Sequence, residues 1–283
     1  MSLIGTLTSG VSALRTFSKG LEVIGNNIAN INTTGYKSSQ ASFSDSFSNT
    51  LRGSAPSAGT TSSQSAVQVG TGVQLAGIQT NFTQGALNST GNITDLGISG
   101  KGFFIVQDAG TGAQFATRDG QFRLDDNGYL VTNGGLRLQG MVGAAIADMQ
   151  VGAAIPVGAQ LQSISFDQAG NLIESYSDGT SATTGQIQLQ NFSDTSALMR
   201  EGSNLFSGLG AAGPLGGGIL AGSNDPNSNG LGSIQSGTLE SSNVDLTDQF
   251  SQLITTQRSF QAGSRLITVS DSVLEDIVNL KRS

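Results

Sequence analysis

The chain has 283 residues, of which 36% are hydrophobic and only 12% charged, with 40 glycines and a formal charge of −7. It holds no cysteine, histidine or tryptophan, which excludes thiolate and imidazole metal sites, Ser-His or Cys-His nucleophile pairs and disulfides. The acidic balance does not suit a nucleic-acid partner, which needs clustered Lys and Arg to displace counterions. Paired-carboxylate chemistry stays open, although no pair stands out.

At the start of the chain, Leu7, Val11, Leu14, Leu21 and Ile28 follow alternating steps of four and three, with Ser18 and Gly25 at the skipped positions. This is the period of an amphipathic helix with a heptad seam. Gly5, Gly10, Gly20 and Gly25 each cost about 1 kcal/mol relative to Ala, so the helix is weak alone. The stretch from Met1 to Asn30 lacks a basic start, a continuous apolar centre and a small-residue cleavage site, so no cleaved secretory signal is expected.

Ser38 to Ala66 is a Ser-, Thr- and Gly-rich tract, expected as an extended or partly mobile arm. From Val67 the period changes to two. Phe103-Phe104-Ile105-Val106 reads as a buried strand. Asp119-Gly120, Asn127-Gly128 and Asn133-Gly134 mark turns between Phe122–Leu124, Tyr129–Val131 and Leu136–Leu138, a β-meander. Ile164–Phe166 and Leu172-Ile173 flank another turn, and the β pattern runs to about Phe192. The most apolar stretch, Met141 to Ala159, is broken by Asp148, Gln150 and Pro156 and falls short of a membrane span. Gly208 to Gly232 reads as a glycine-rich return loop.

At the finish, Leu246, Phe250, Leu253, Phe260, Ile267, Leu274 and Val278 repeat the helical spacing, interrupted by Gln257, Ser264 and Asp271. Asn243 or Asp245 is the expected N-cap, and Lys281 and Arg282 suit the C-terminal end of the helix dipole. The predicted class is α+β, with the N- and C-terminal helices paired as a coiled coil around a mainly β central region. The predicted domains are a helical one from 1–31 and 245–283, connecting arms at 32–70 and 225–244, and a β-rich domain at 71–224.

Three apparent ligand motifs read better as turns. Gly100-Lys101-Gly102 has Asp95 at the first position of a phosphate loop and a glycine where the hydroxyl is needed. Gly70-Thr71-Gly72 has Leu75 at the third glycine of a dinucleotide motif. Asp125–Gly128 has Arg123 and Gly134 where a calcium loop needs carboxylates. No catalytic residue, cofactor or metal ligand is predicted.

Gly25-Asn26-Asn27-Ile28-Ala29-Asn30 followed by Thr33-Thr34-Gly35-Tyr36-Lys37 resembles the N-terminal signature of bacterial flagellar rod and hook proteins. Val69–Val73, Phe82–Gly85, Asp95–Ile98 leading into Gly102-Phe103-Phe104, Leu239–Leu246 and Gln257–Ala262 are similar to further parts of that family. Ser38–Phe43 and the ending Ser270–Leu274 through Asn279–Arg282 look most like the hook protein.

The resemblance implies a non-enzymatic subunit that polymerises helically in many copies. The paired helices would form an inner tube, the β domain would lie outside, and the tube would transmit motor torque to the filament. Implied partners are adjacent rod, hook-cap and hook–filament junction proteins and the flagellar export apparatus, with no nucleic acid and no membrane insertion. Location in the hook or basal body follows, with export that needs no cleaved signal. Assembly contacts are expected at Leu7, Val11, Leu14, Leu21, Asn26, Asn27, Ile28, Asn30, Leu246, Phe250, Leu253, Phe260, Ile267 and Leu274. A distal rod protein is the alternative within the family, given the short chain and the Ser48–Ala66 arm. Outside the family the alternative is a β-rich surface binding module whose helices pack internally.

Overall fold

The computed structural model describes residues 3–54, 65–143, 145–153, 158–216, 218–220 and 224–280. The chain divides into two compact units: Met1–Ala29, Ser39–Asn81 and Asp245–Ser283 form one, and Asn30–Ser38 with Phe82–Val244 the other. The first is called the helical unit and the second the β unit.

The helical unit begins with α1 (Leu3–Ala29). Strand β1 (Ser39–Asp45) is followed by β2 (Ser48–Arg52), β3 (Val67–Gly70) and β4 (Val73–Thr80). β1 pairs antiparallel with β4, and β2 pairs antiparallel with β3. The polar tract expected as an arm thus contributes β1 and β2 from its first part and ends just before β3; its residues 55–64 lie outside the described residues. The unit closes with α2 (Leu246–Leu280). Of the two candidate caps Asp245 takes the role, its Oδ1 accepting from the Thr247 amide at 2.7 Å, which satisfies a donor that the first turn leaves free. Lys281 and Arg282 lie outside the described residues. No described helix is long and apolar enough to cross a membrane.

The β unit is built on a 12-stranded antiparallel sheet, counted among the described residues. At its centre Phe103–Gln107 pairs with Gln114–Thr117, Arg137–Val142 and Leu189–Gln190. Strand alternation sends its side chains into two clusters. Phe104 and Val106 join Leu130, Leu138, Leu172 and Ile187, while Phe103 and Ile105 join Phe192, Phe206 and Leu220. The predicted meander is present, with Phe122–Leu124 paired to Leu130–Thr132 across a turn in which the Gly128 amide donates to the Asp125 carbonyl at 2.8 Å. Gly128 has φ +80°, a left-handed value that favours glycine.

Strands continue beyond Phe192, as Met199–Gly202 and Leu205–Ser207. After the glycine-rich return, Ser233–Ser236 pairs with Leu96–Ser99 and Thr238–Glu240 with Leu87–Ser89. These late strands escape the period-two reading because each is only three or four residues long. Long-range pairing, not hydrophobic alternation, defines them.

Candidate assembly site

The two helices run antiparallel and touch through small and polar side chains. The hydroxyls of Thr6 and Ser270 are 3.1 Å apart. A Cβ on Gly263 would lie 3.5 Å from Ala13 Cβ, and one on Gly20 would lie 3.5 Å from Thr256 Cγ2. Asn27 Nδ2 donates to Gln249 Oε1 at 2.9 Å. Residues 6, 13, 20 and 27 therefore meet 270, 263, 256 and 249 in turn, each line advancing by seven. At Gly10 a Cβ would stand 2.8 Å from Ile267 Cγ1. Glycine there admits the isoleucine at the helix-propensity cost noted above.

This contact line lies one residue to the side of the predicted apolar line on α1, and one residue from its Phe250, Gln257, Ser264 and Asp271 positions on α2. One residue is about 100° of helix rotation, so several predicted residues are turned partly outward. Leu7, Leu14, Leu21, Ile28, Leu253, Phe260, Ile267 and Leu274 are half-buried, whereas Val11, Leu246 and Phe250 are exposed. Of the signature asparagines, Asn26 is exposed and Asn30 half-buried. Asn27 is buried, and besides binding Gln249 it exchanges two hydrogen bonds with the Ser39 backbone, at 2.7 and 2.9 Å. It thereby ties β1 to both helices.

Two rows of apolar side chains on α2 are left uncovered: Leu246, Phe250 and Ile254 near its start, and Leu266, Val269, Val273 and Ile277 near its end. The β2–β3 ribbon adds exposed Leu51, Val67 and Val69, with Phe47 beside it 85% exposed. Against α1, the ribbon's base is held by Phe43 edge-on to Phe17, centroids 5.6 Å apart, and by Thr16 Oγ1 donating to the Val73 carbonyl at 3.2 Å. Apolar rows of this extent are unusual on a monomer and mark interaction surfaces.

The β unit holds a feature that sequence reading missed. Lys37, the last residue of the Thr33–Lys37 signature, is wholly buried and donates to Glu240 Oε1 at 2.6 Å and to the Thr83 carbonyl at 2.8 Å. Arg118 reaches Glu240 Oε2 at 3.2 Å and the Gly100 carbonyl at 2.9 Å, with its guanidinium 5.2 Å from the Phe103 ring centre. Glu240 Oε1 also accepts from the Gly85 amide at 2.8 Å. Burial pulls the Lys37 ammonium below its ordinary pKa, with Glu240 opposing. Arg118 is lowered for the same reason.

Around this triad the Gly35 amide donates to the Glu240 carbonyl at 2.7 Å, and Asn243 Oδ1 accepts from the Ser38 amide at 2.7 Å. The Arg200 guanidinium donates to the Lys37 carbonyl and lies 4.8 Å from the Tyr36 ring centre. The segments that lead out of α1 and into α2 are thus clasped together within the β unit. The available signal was the scarcity of charge: Lys37 is the one charged residue of the Gly25–Lys37 signature, and Glu240 is one of two in Leu239–Leu246.

Three family descriptions match. Residues 7–37 match "Flagella basal body rod protein", 97–173 match "Flagellar hook protein FlgE/F/G D1 domain", and 235–280 match "Flagellar basal body rod FlgEFG protein C-terminal". A Bacillus subtilis flagellar basal-body rod protein, FlgG, is 39% identical over 99% of this chain and 100% of the relative. The Borreliella burgdorferi protein of the same name is 33% identical over 100% of this chain and 99% of its own length. A Helicobacter mustelae flagellar hook protein, FlgE, is 45% identical over 49% of this chain and 31% of that protein. Matched from end to end, the chain belongs to the flagellar rod and hook protein family, whose members are structural proteins and not enzymes.

Proposed function

We infer that the chain is a rod subunit of the flagellar basal body, which polymerises helically through its helical unit into a tube that carries motor torque outward. One observation carries the assembly reading: the apolar rows of α2 that the antiparallel pair with α1 leaves uncovered. In a polymer, neighbouring copies bury them, and the two helices supercoil as a coiled coil whose seam includes Leu7, Leu14, Leu21, Leu253, Phe260, Ile267 and Leu274. Val11, Leu246 and Phe250 face neighbouring copies, and the Asn26, Asn27 and Asn30 signature shapes the turn at the end of α1. Subunits adjacent to other axial proteins complete the structure.

Rod is preferred over hook because the rod relatives align with nearly the whole chain. Hook is the second reading, favoured by the 45% identity over 139 residues to the Helicobacter mustelae protein. Electron microscopy of basal bodies from cells lacking the chain separates them. A shortened rod without a hook supports the rod assignment. A complete rod lacking only the hook overturns it.

A further inference from the structure

We propose that the groove between α1 and the β1–β4 hairpin is the seat for the C-terminal half of α2 from a second copy of this chain. The proposal rests on the polymerising role inferred above and specifies one contact within it. The groove encloses about 590 Å³ and is walled by Leu7, Val11 and Arg15 of α1 and by Ser46, Val73 and Leu75. Val11 is exposed in it.

The occupant is identified by shape and charge. Leu7, Val11 and Arg15 form a ridge at four-residue steps, and Val269, Val273 and Ile277 form one of the same step and length on α2. Each ridge is about 12 Å long, and matched four-residue ridges pack into one another's grooves. The described part of α1 before Arg15 carries no charge, and Arg15 makes no ion pair among the described residues. Residues 266–280 hold Asp271, Glu275 and Asp276, no basic residue and no described ion pair. An apolar trough ending in Arg15 therefore meets an apolar ridge flanked by Asp271, Glu275 and Asp276, with Lys281 and Arg282 following it in the sequence. Within its own chain that ridge cannot reach the groove, because α2 occupies α1 through the Thr6, Ala13, Gly20 and Asn27 line while Val11 is exposed away from it.

Val11 and Val273 are the middle rungs, so they face each other whichever way the helices run. The chain lacks cysteine, which makes cross-linking clean. Full-length V11C and V273C variants are mixed, so that any bridge between the two positions joins separate copies, and polymer is collected by sedimentation and checked by electron microscopy. Mild oxidation should give a disulfide-linked V11C–V273C dimer in the polymer fraction and none in the soluble fraction. A V11C and F250C mixture should give none in either. Polymer that forms without the V11C–V273C bridge, or that links V11C to F250C, overturns the groove assignment and leaves the assembly reading standing. Failure of the unsubstituted chain to form polymer overturns both.

Discussion

The two units of this chain differ most in what they bury. The β unit closes two apolar clusters, and its Phe104, Ile105, Val106, Leu130, Leu138 and Leu172 are each 0% exposed. In the helical unit Ile24 is the one buried apolar side chain among the described residues; its other buried positions are Thr16, Asn27, Gln249 and Ser270, with Gly10, Gly20 and Gly263. A helix pair of 27 and 35 residues held mostly by small and polar contacts lacks the burial that offsets the entropy of ordering it. The β unit closes its own apolar clusters, whereas on the assembly proposed above neighbouring copies would complete the helical unit. That proposal couples folding of the helices to assembly.

Four perturbations test that contrast, taken from the largest effect down. Phe260→Asp or Leu253→Asp should abolish polymerisation while leaving the β unit's thermal transition in place. Sedimentation and calorimetry on one sample read both, and a variant that still builds normal polymer would break the comparison. Glu240→Ala should destabilise the β unit by about 3–5 kcal/mol, since it strands Lys37 and Arg118 as buried cations without a counter-charge. Denaturant unfolding measures this, and a loss no larger than that of a surface pair would mean the clasp contributes little.

Asp119→Asn should show a smaller, pH-dependent effect. Burial raises the Asp119 carboxyl above its ordinary pKa, despite hydrogen bonds from the Gln121 amide and Thr34 Oγ1. The folded state then holds a proton that the unfolded chain has released, so this group's contribution falls as pH rises from the ordinary carboxylate value through the raised one. The Asn variant should be the more stable at neutral pH, and its advantage should vanish on acidification. Stability measured across that window with no convergence would refute the raised pKa.

The smallest effect is on α1. A Cβ at Gly25 meets nothing within 4 Å, whereas one at Gly10 meets Ile267 Cγ1 at 2.8 Å. Gly25→Ala should stabilise the helix by up to about 1 kcal/mol, and Gly10→Ala should forfeit that gain. Helicity by circular dichroism, read in polymer and monomer, separates the two.

The sequence by itself determined the helices at both ends and the β region between them, because period 3.6 and period 2 are local properties of the residues. Turn chemistry at Asn127-Gly128 placed the meander strands for the same reason, and Phe103–Val106 announced a buried strand through a continuous apolar run. Family signatures at both ends were also legible as strings.

The tertiary structure alone decided which side of each helix faces the other. Apolar periodicity marks Leu7, Leu14, Leu21 and Phe250, but close backbone approach favours the line of Gly20, Gly263, Thr256 and Asn27, one residue away. It also brought Lys37, Arg118 and Glu240 together from positions 37, 118 and 240. Desolvation and charge pairing depend on distance in space, and no local pattern in the chain records that distance.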